Sequence, residues 1–142
     1  MRLIVDTNLL IWTAEASPRL SKAATAILVD PEHEPWFSVL AVAEVAIKFA
    51  RGRPDFQVDP SVFRQVLLAN AFRELSLTGA HVARLADLPP IHKDPFDRLL
   101  VAQAMVEGLT LLTSDATLGS YGPQVMVVRH RRTGAAKIVT QV

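Results

Sequence analysis

Residues 3–8 read Leu3-Ile4-Val5-Asp6-Thr7-Asn8, an apolar tripeptide that is closed by an acid and two polar residues. A short run that is apolar throughout is typical of a central parallel strand covered on both faces. The polar residues that follow predict a turn into a helix, and open α/β sheets bind their ligands at such carboxyl ends of strands. The stretch therefore predicts a parallel sheet and a functional position at Asp6.

Short apolar strands alternate with helices along the rest of the chain. Further strands are predicted at residues 35–38, 72–77, 109–113 and 125–128. Helices are predicted at residues 8–16, 21–29, 39–50, 60–72, 78–88 and 95–108, several of them bounded by Pro or Gly. The alternation indicates an α/β fold, a three-layer sandwich in which helices flank a central, mostly parallel sheet of four to five strands.

Composition limits the classes of protein that the chain can represent. With 142 residues, half of them hydrophobic, it is expected to form a single domain over residues 1–142. The absence of cysteine excludes disulfide scaffolds, thiol catalysis and cysteine-bound zinc. No signal peptide or membrane-spanning run is evident, so we expect a cytoplasmic protein with no membrane association. Residues 129–142 form a basic tail with a candidate edge strand at residues 137–140.

Four acidic residues stand singly inside or at the ends of apolar segments: Asp6, Glu44, Asp97 and Asp115. Ionised carboxylates are rarely buried without a partner, so four of them around one core call for a compensating cation. A site made of oxygen ligands suits Mg²⁺ or Mn²⁺. The pattern therefore favours a metal-dependent enzyme that cleaves phosphodiester bonds.

Each acid also has a purely structural explanation. Asp6 and Asp115 could be helix N-caps, and Glu44 could form a surface pair with Lys48 at the i,i+4 spacing. Against that pair, the helix around Glu44 is apolar on nearly every side, which indicates burial. The functional interpretation depends on the four acids together, two at strand ends and two in helices, because no single position would support it.

The helix that begins at Pro95 has two acids in its first turn. Acids are favoured there by the helix macrodipole, and Asp94 is a natural N-cap ahead of Pro95. We therefore assign Asp94 mainly to capping and Asp97 mainly to chemistry. His92 is interpreted as a loop residue or a contact to Asp94 rather than as a metal ligand.

Together these segments resemble the PIN-domain toxins of bacterial VapBC toxin–antitoxin systems. The resemblance rests on Asp6-Thr7-Asn8, Glu44, residues 92–104 and residues 111–115, and it extends from Arg2 to about Val128. It implies a PIN-like sandwich and a ribonuclease dependent on Mg²⁺ or Mn²⁺, usually dimeric and inhibited by a small antitoxin. The matching acidic quartet is Asp6, Glu44, Asp97 and Asp115, and the matching polar neighbours are Thr7, Asn8, Arg98 and Thr113.

The leading hypothesis is a divalent-metal-dependent endoribonuclease that acts as the toxin of a toxin–antitoxin pair, with RNA as its substrate and the cognate antitoxin protein as its partner. In this hypothesis Asp6, Glu44 and Asp97 hold the first ion, and Asp115 completes that site or helps to hold a second. Thr113 and Ser114 could orient a carboxylate by hydrogen bonds. Candidate contacts to flanking RNA phosphates are Lys48, Arg51 and Arg53.

Two alternatives remain open at this point. In the first, the chain is a catalytically inactive PIN-like module that holds a partner protein, and the acids only cap helices. The second is a phosphatase with an aspartyl-phosphate intermediate at Asp6. The second is weaker, since such enzymes use another Asp two positions on and this chain has Asn8 there.

Overall fold

The computed structural model describes residues 1–129 and the strand at residues 140–141. The strands are β1 (Arg2–Val5), β2 (Glu34–Ser38), β3 (Arg73–Leu75), β4 (Thr110–Thr113), β5 (Val125–Val128) and β6 (Thr140–Gln141). The α-helices are α1 (Thr7–Ala14), α2 (Lys22–Val29), α3 (Val39–Ala50), α4 (Pro60–Ala69), α5 (Gly79–Ala83) and α6 (Pro95–Glu107). Two 3₁₀ helices cover Arg84–Asp87 and Ala116–Tyr121.

The strands form one sheet in the order β3-β2-β1-β4-β5-β6. The first five strands are parallel and β6 pairs antiparallel with β5. From β1 the sheet extends to β2 and β3 on one side and to β4 and β5 on the other, so β1 and β4 flank a topological switch point. Ligands of open α/β sheets bind at the carboxyl ends of the strands at such a point. The predicted α/β class with a mostly parallel sheet is confirmed.

Helices cover both faces of the sheet because the central strands are apolar on both. Leu3 and Val5 of β1 pack in a core with α1, α2 and α4, whereas Ile4 packs in a second core with α6 and the 3₁₀ helix 116–121. All three side chains are fully buried. This alternation explains why the first strand needs no polar position, and it gives the three layers that the sequence predicts.

Several predicted boundaries were wrong by a few residues. Helix α4 was predicted to reach Phe72 but ends at Ala69, and Ala71 then adopts a left-handed conformation with φ of 66°. That turn places Phe72 in the core directly before β3. The helix predicted at residues 78–88 divides into α5 and a 3₁₀ helix. Of the predicted edge strand, residues 137–139 lie outside the described residues.

Over the described part of the chain, the helices are all too short or too polar to cross a lipid bilayer.

Candidate active site

Asp6 lies at the carboxyl end of β1 and is bound by groups from both sides of the switch point. Its Oδ1 accepts the Leu9 amide at 3.0 Å and so caps α1. Its Oδ2 accepts the hydroxyl of Thr113 and the backbone amide of Ser114, the latter at 3.3 Å. The register of β1 with β4 brings these residues together, since Val5 stands opposite Leu112. Asp6 is therefore both a helix cap and a fixed carboxylate at the sheet edge.

Asp115 follows β4 and also divides its two oxygens between partners. Its Oδ1 accepts the Thr117 amide at 2.9 Å, which caps the 3₁₀ helix that follows. Its Oδ2 lies 2.9 Å from Nε2 of His92. In both Asp6 and Asp115, one carboxylate oxygen caps a helix and the other contacts a different part of the chain. A role as a helix cap is thus compatible with a role in a shared site.

His92 bridges two of the acids. Its Nε2 lies 3.4 Å from Oδ2 of Asp97 as well as 2.9 Å from Asp115. Its Nδ1 accepts the Asp94 amide at 3.1 Å. An acceptor at Nδ1 leaves the proton of the neutral ring on Nε2, so the ring donates to the carboxylates. The interpretation of His92 as a contact to Asp94 agrees with this geometry, but its contact with Asp115 was missed.

Glu44 reaches the same place from α3. Its Oε1 accepts the hydroxyl of Thr7 at 2.6 Å, and Thr7 opens α1 directly after Asp6. Among the ion pairs formed by the described residues, none joins Glu44 to Lys48. The partner of Glu44 is therefore a neighbour of Asp6 rather than the lysine one turn along the helix.

Asp94 and Asp97 come from the first turn of α6. Asp94 caps the helix, accepting the Phe96 amide at 2.9 Å, as its position ahead of Pro95 predicts. Asp94 nevertheless lines the same cavity as Asp97. The positive end of the helix macrodipole makes this a favourable place for two acids.

One cavity of about 130 Å³ joins these elements at the carboxyl edge of the sheet. Its lining contains the four predicted acids and a fifth, Asp94, and is completed by Thr7, Asn8 and Lys48. One ligand atom from each of His92, Asp97 and Asp115 also lies within 4.8 Å of the other two. Residues that are far apart in the sequence are thus concentrated in a space large enough for an ion and its water ligands.

The carboxylates in this cavity are electrostatically unfavourable in the ionised form. Burial raises the pKa of Asp97 to about 7, and the charge on Asp94 adds to the shift while the His92 ring opposes it. Burial likewise raises the pKa of Asp6 and of Glu44, although their hydrogen bonds from Thr113 and Thr7 act in the other direction. Groups with such shifts and only oxygen ligands fit a divalent cation, which would relieve their repulsion.

Two predicted residues, Arg98 and Arg53, lie apart from the carboxylates, whereas Ser114 contacts one of them. Arg98 lies on α6 but directs Nη2 towards the carbonyl oxygens of Leu85 and Leu88, at 3.5 and 3.4 Å. It holds the segment ahead of His92 rather than the carboxylates. Ser114 contacts Asp6 through its backbone amide. Lys48 lines the acidic cavity, and Lys48 and Arg51 line a second, adjoining pocket between α3 and the start of α6. Arg53 is not among the described residues that line either of them.

The model of the PIN domain family matches residues 3–122. The chain belongs to the PIN domain family. The match includes both strands of the switch point and all the acids of the cavity, and it leaves out β5 and the tail. Among curated protein sequences, none matches this chain.

Solved structures share the fold at low sequence identity. VapBC2 from Rickettsia felis, bound to a DNA fragment from its promoter, has a TM-score of 0.68 at 15% identity, over 92% of this chain and 99% of that chain. A toxin–antitoxin complex from Klebsiella pneumoniae has a TM-score of 0.60 at 19% identity, over 87% and 94%. The PIN domain endonuclease Utp24 has a TM-score of 0.53 at 15% identity, over 99% and 90%. The resemblance to VapC-type PIN domains is thus confirmed for the family and the fold.

Proposed function

We propose that this PIN-domain protein is a divalent-metal-dependent endoribonuclease that acts as the toxin of a toxin–antitoxin pair. The observation that carries the proposal is the convergence of five carboxylates from four parts of the chain on one cavity at the switch point of the sheet. A protein gains nothing in stability from placing five acids together, so their proximity favours a role in binding and catalysis.

The donor set fits Mg²⁺ or Mn²⁺. Carboxylate oxygens with water are the ligands that these ions prefer, and no thiolate is present in the chain. In this proposal Asp6, Glu44 and Asp97 hold the ion, and Asp115 completes the site or contributes to a second one. A divalent ion there would supply Lewis-acid chemistry, which makes water a nucleophile near neutral pH and compensates charge on a phosphate.

In this proposal, polar residues in and next to the cavity position the carboxylates and the substrate. The hydroxyl of Thr113 donates to Asp6 and that of Thr7 donates to Glu44. These hydrogen bonds hold each carboxylate in one orientation. Lys48 lines the same cavity, and in this proposal its positive charge attracts a phosphate of the substrate. Because hydrolysis of this type uses water as the nucleophile, it does not need the ribose 2′-hydroxyl.

The biological setting follows from similarity rather than from the site. Of the solved structures with this fold, one is described as a toxin–antitoxin complex, one as VapBC2 bound to promoter DNA, and one as an endonuclease. We infer an RNA substrate and a cognate antitoxin as partners of this chain. The homodimer implied by the resemblance stays a prediction.

Replacing Asp97 with Asn tests the catalytic role. We expect Asp97→Asn to abolish Mn²⁺-dependent cleavage of RNA and to weaken Mn²⁺ binding measured by calorimetry, because it removes a ligand charge at nearly constant shape. The matched control is Asp87→Asn, an exposed acid on the 3₁₀ helix 84–87, and it should leave both properties unchanged. Wild-type cleavage that persists in excess EDTA would refute the metal requirement.

The same titration separates an enzyme from an inactive binding module. If the acids served only as caps, wild-type protein and Asp97→Asn would give the same small heat with Mn²⁺ and neither would cleave RNA. Under the proposal only the wild type binds the ion tightly, and its thermal midpoint rises with Mn²⁺ concentration.

A further inference from the structure

His92 and Asp115 are connected by two routes. The direct one is the contact between His92 Nε2 and Asp115 Oδ2, at 2.9 Å. The other passes through the 3₁₀ helix 116–121. Asp115 caps the start of this helix, and Tyr121 at its end accepts the backbone amide of His92 on its hydroxyl oxygen at 2.9 Å. The backbone and the ring of His92 are therefore held by the same short helix and its cap.

The hydroxyl of Tyr121 is the polar end of a side chain that otherwise belongs to the core. Tyr121 is 8% exposed and is part of the second core, together with Leu118 and Val125. Burying a hydroxyl costs free energy unless it is hydrogen-bonded, whereas a phenylalanine would fill nearly the same space without that cost. The packing of the ring thus does not require the oxygen, and its contact with the His92 amide is an interaction that a phenylalanine would lose.

The position of the His92 backbone depends on a few contacts. The described residues 89–94 lie in no helix or strand, so individual hydrogen bonds decide where this segment runs. Arg98 directs Nη2 towards the carbonyl oxygen of Leu88 just before the segment, at 3.4 Å, and the Tyr121 hydroxyl holds the His92 amide within it. A shielded backbone amide without an acceptor is unfavourable, so loss of the Tyr121 oxygen would favour a shift of the segment.

We propose that Tyr121 is a positioning residue of the acidic cavity, which acts by holding the His92 backbone where the ring bridges Asp115 and Asp97. Tyr121 is not among the described residues that line the cavity, so its effect on a bound ion passes through His92. Hydrogen-bond partners behind a metal site fix the orientation of the groups that bind the ion. The part that concerns the ion rests on the proposed function, whereas the placement of His92 does not.

The placement of His92 is tested on the metal-free protein with Tyr121→Phe, which removes a single oxygen atom. We expect the His92 amide to exchange with solvent roughly 2- to 13-fold faster, the range for the loss of one hydrogen bond. Exchange is measured by NMR relative to the amide of Leu112, a fully buried residue of β4. The matched control is Ser21→Ala, because the Ser21 hydroxyl is also buried and also accepts a backbone amide, that of Ala24 at 3.1 Å. This control should speed exchange at Ala24 and leave His92 unchanged.

The effect on the ion is tested by calorimetry with Mn²⁺. We expect Tyr121→Phe to weaken Mn²⁺ binding by roughly 2- to 13-fold, and by less than His92→Ala does, whereas Ser21→Ala should bind the ion like the wild type. In the double variant Tyr121→Phe/His92→Ala the loss should equal that of His92→Ala alone, because the oxygen then has no ring to position. Thermal unfolding checks that each variant folds.

The outcomes that overturn the role of Tyr121 differ from those that overturn the nuclease. A His92 amide that exchanges at the wild-type rate in Tyr121→Phe would refute this role. Losses of Mn²⁺ affinity that add in the double variant would also refute it, since the oxygen would then act independently of His92. Equal losses of affinity in Tyr121→Phe and Ser21→Ala would show an effect of general stability and would refute it too. A wild type that neither binds Mn²⁺ nor cleaves RNA would refute the proposed function, and the exchange measurement would still decide whether Tyr121 places His92.

Discussion

At the scale of single residues, the two ring nitrogens of His92 have different tasks. Nδ1 accepts the Asp94 amide, which fixes the ring, and Nε2 donates towards Asp115 and Asp97. Hydrogen-bond partners of metal-binding carboxylates commonly contribute 10- to 100-fold to metal affinity. His92 is therefore expected to position Asp115 rather than to bind the ion.

Substitution of His92 tests this role. We expect His92→Ala to weaken Mn²⁺ binding by about tenfold or more. His92→Gln places an amide donor near the former position of Nε2 and should recover part of the affinity. If the alanine variant bound Mn²⁺ more tightly than the wild type, the ring would instead be competing with the ion.

The spatial proximity of the acids could be predicted only in part from the sequence. Asp6 and Asp115 follow apolar strands, and the carboxyl ends of parallel strands share one edge, so their proximity follows from strand prediction. The contact of His92 with Asp115 depends on the path of residues 88–94, which carry no periodic signal. Only the short spacing from His92 to Asp94 and Asp97 could have indicated it.

At the scale of secondary-structure elements, helix ends were predictable where a residue has one strong preference. Val39–Ala50 was predicted with both bounds correct, and α6 begins at Pro95 after its Asp94 cap. The end of α4 was wrong because Ala71, not glycine, takes the left-handed conformation, and nothing in an alanine indicates that. Core packing of Phe72 decides that turn instead.

The glycine at the C-terminal end of α6 allows the cost of a left-handed backbone conformation to be measured. Gly108 adopts φ of 66°, and a Cβ there would have no atom within 4 Å, so a substitution meets only backbone strain. We expect Gly108→Ala to lower the free energy of unfolding by about 1–2 kcal/mol in urea denaturation. Gly79→Ala, also in open space but without a positive φ, should be neutral or slightly stabilising.

At the scale of the whole molecule, the clustered acids link stability to pH. In the folded protein burial raises the pKa of Asp97 from its ordinary value of 3.8 to about 7. Between those two values the folded state binds more protons than the unfolded state, so stability falls as pH rises through this window. The raised pKa of Asp6 and of Glu44 acts in the same direction.

Thermal unfolding across this pH range, with and without Mn²⁺, measures how ionisation of the acids affects stability. We expect the metal-free midpoint to fall between pH 4 and pH 7 and to fall less in Asp97→Asn, which cannot ionise at that position. Added Mn²⁺ should raise the midpoint more at pH 8 than at pH 5, because protons compete with the ion for the carboxylates. If wild type and Asp97→Asn lost stability in parallel, ionisation of Asp97 would not be the cause, and the carboxylate would lie in a more hydrated environment than the cavity provides.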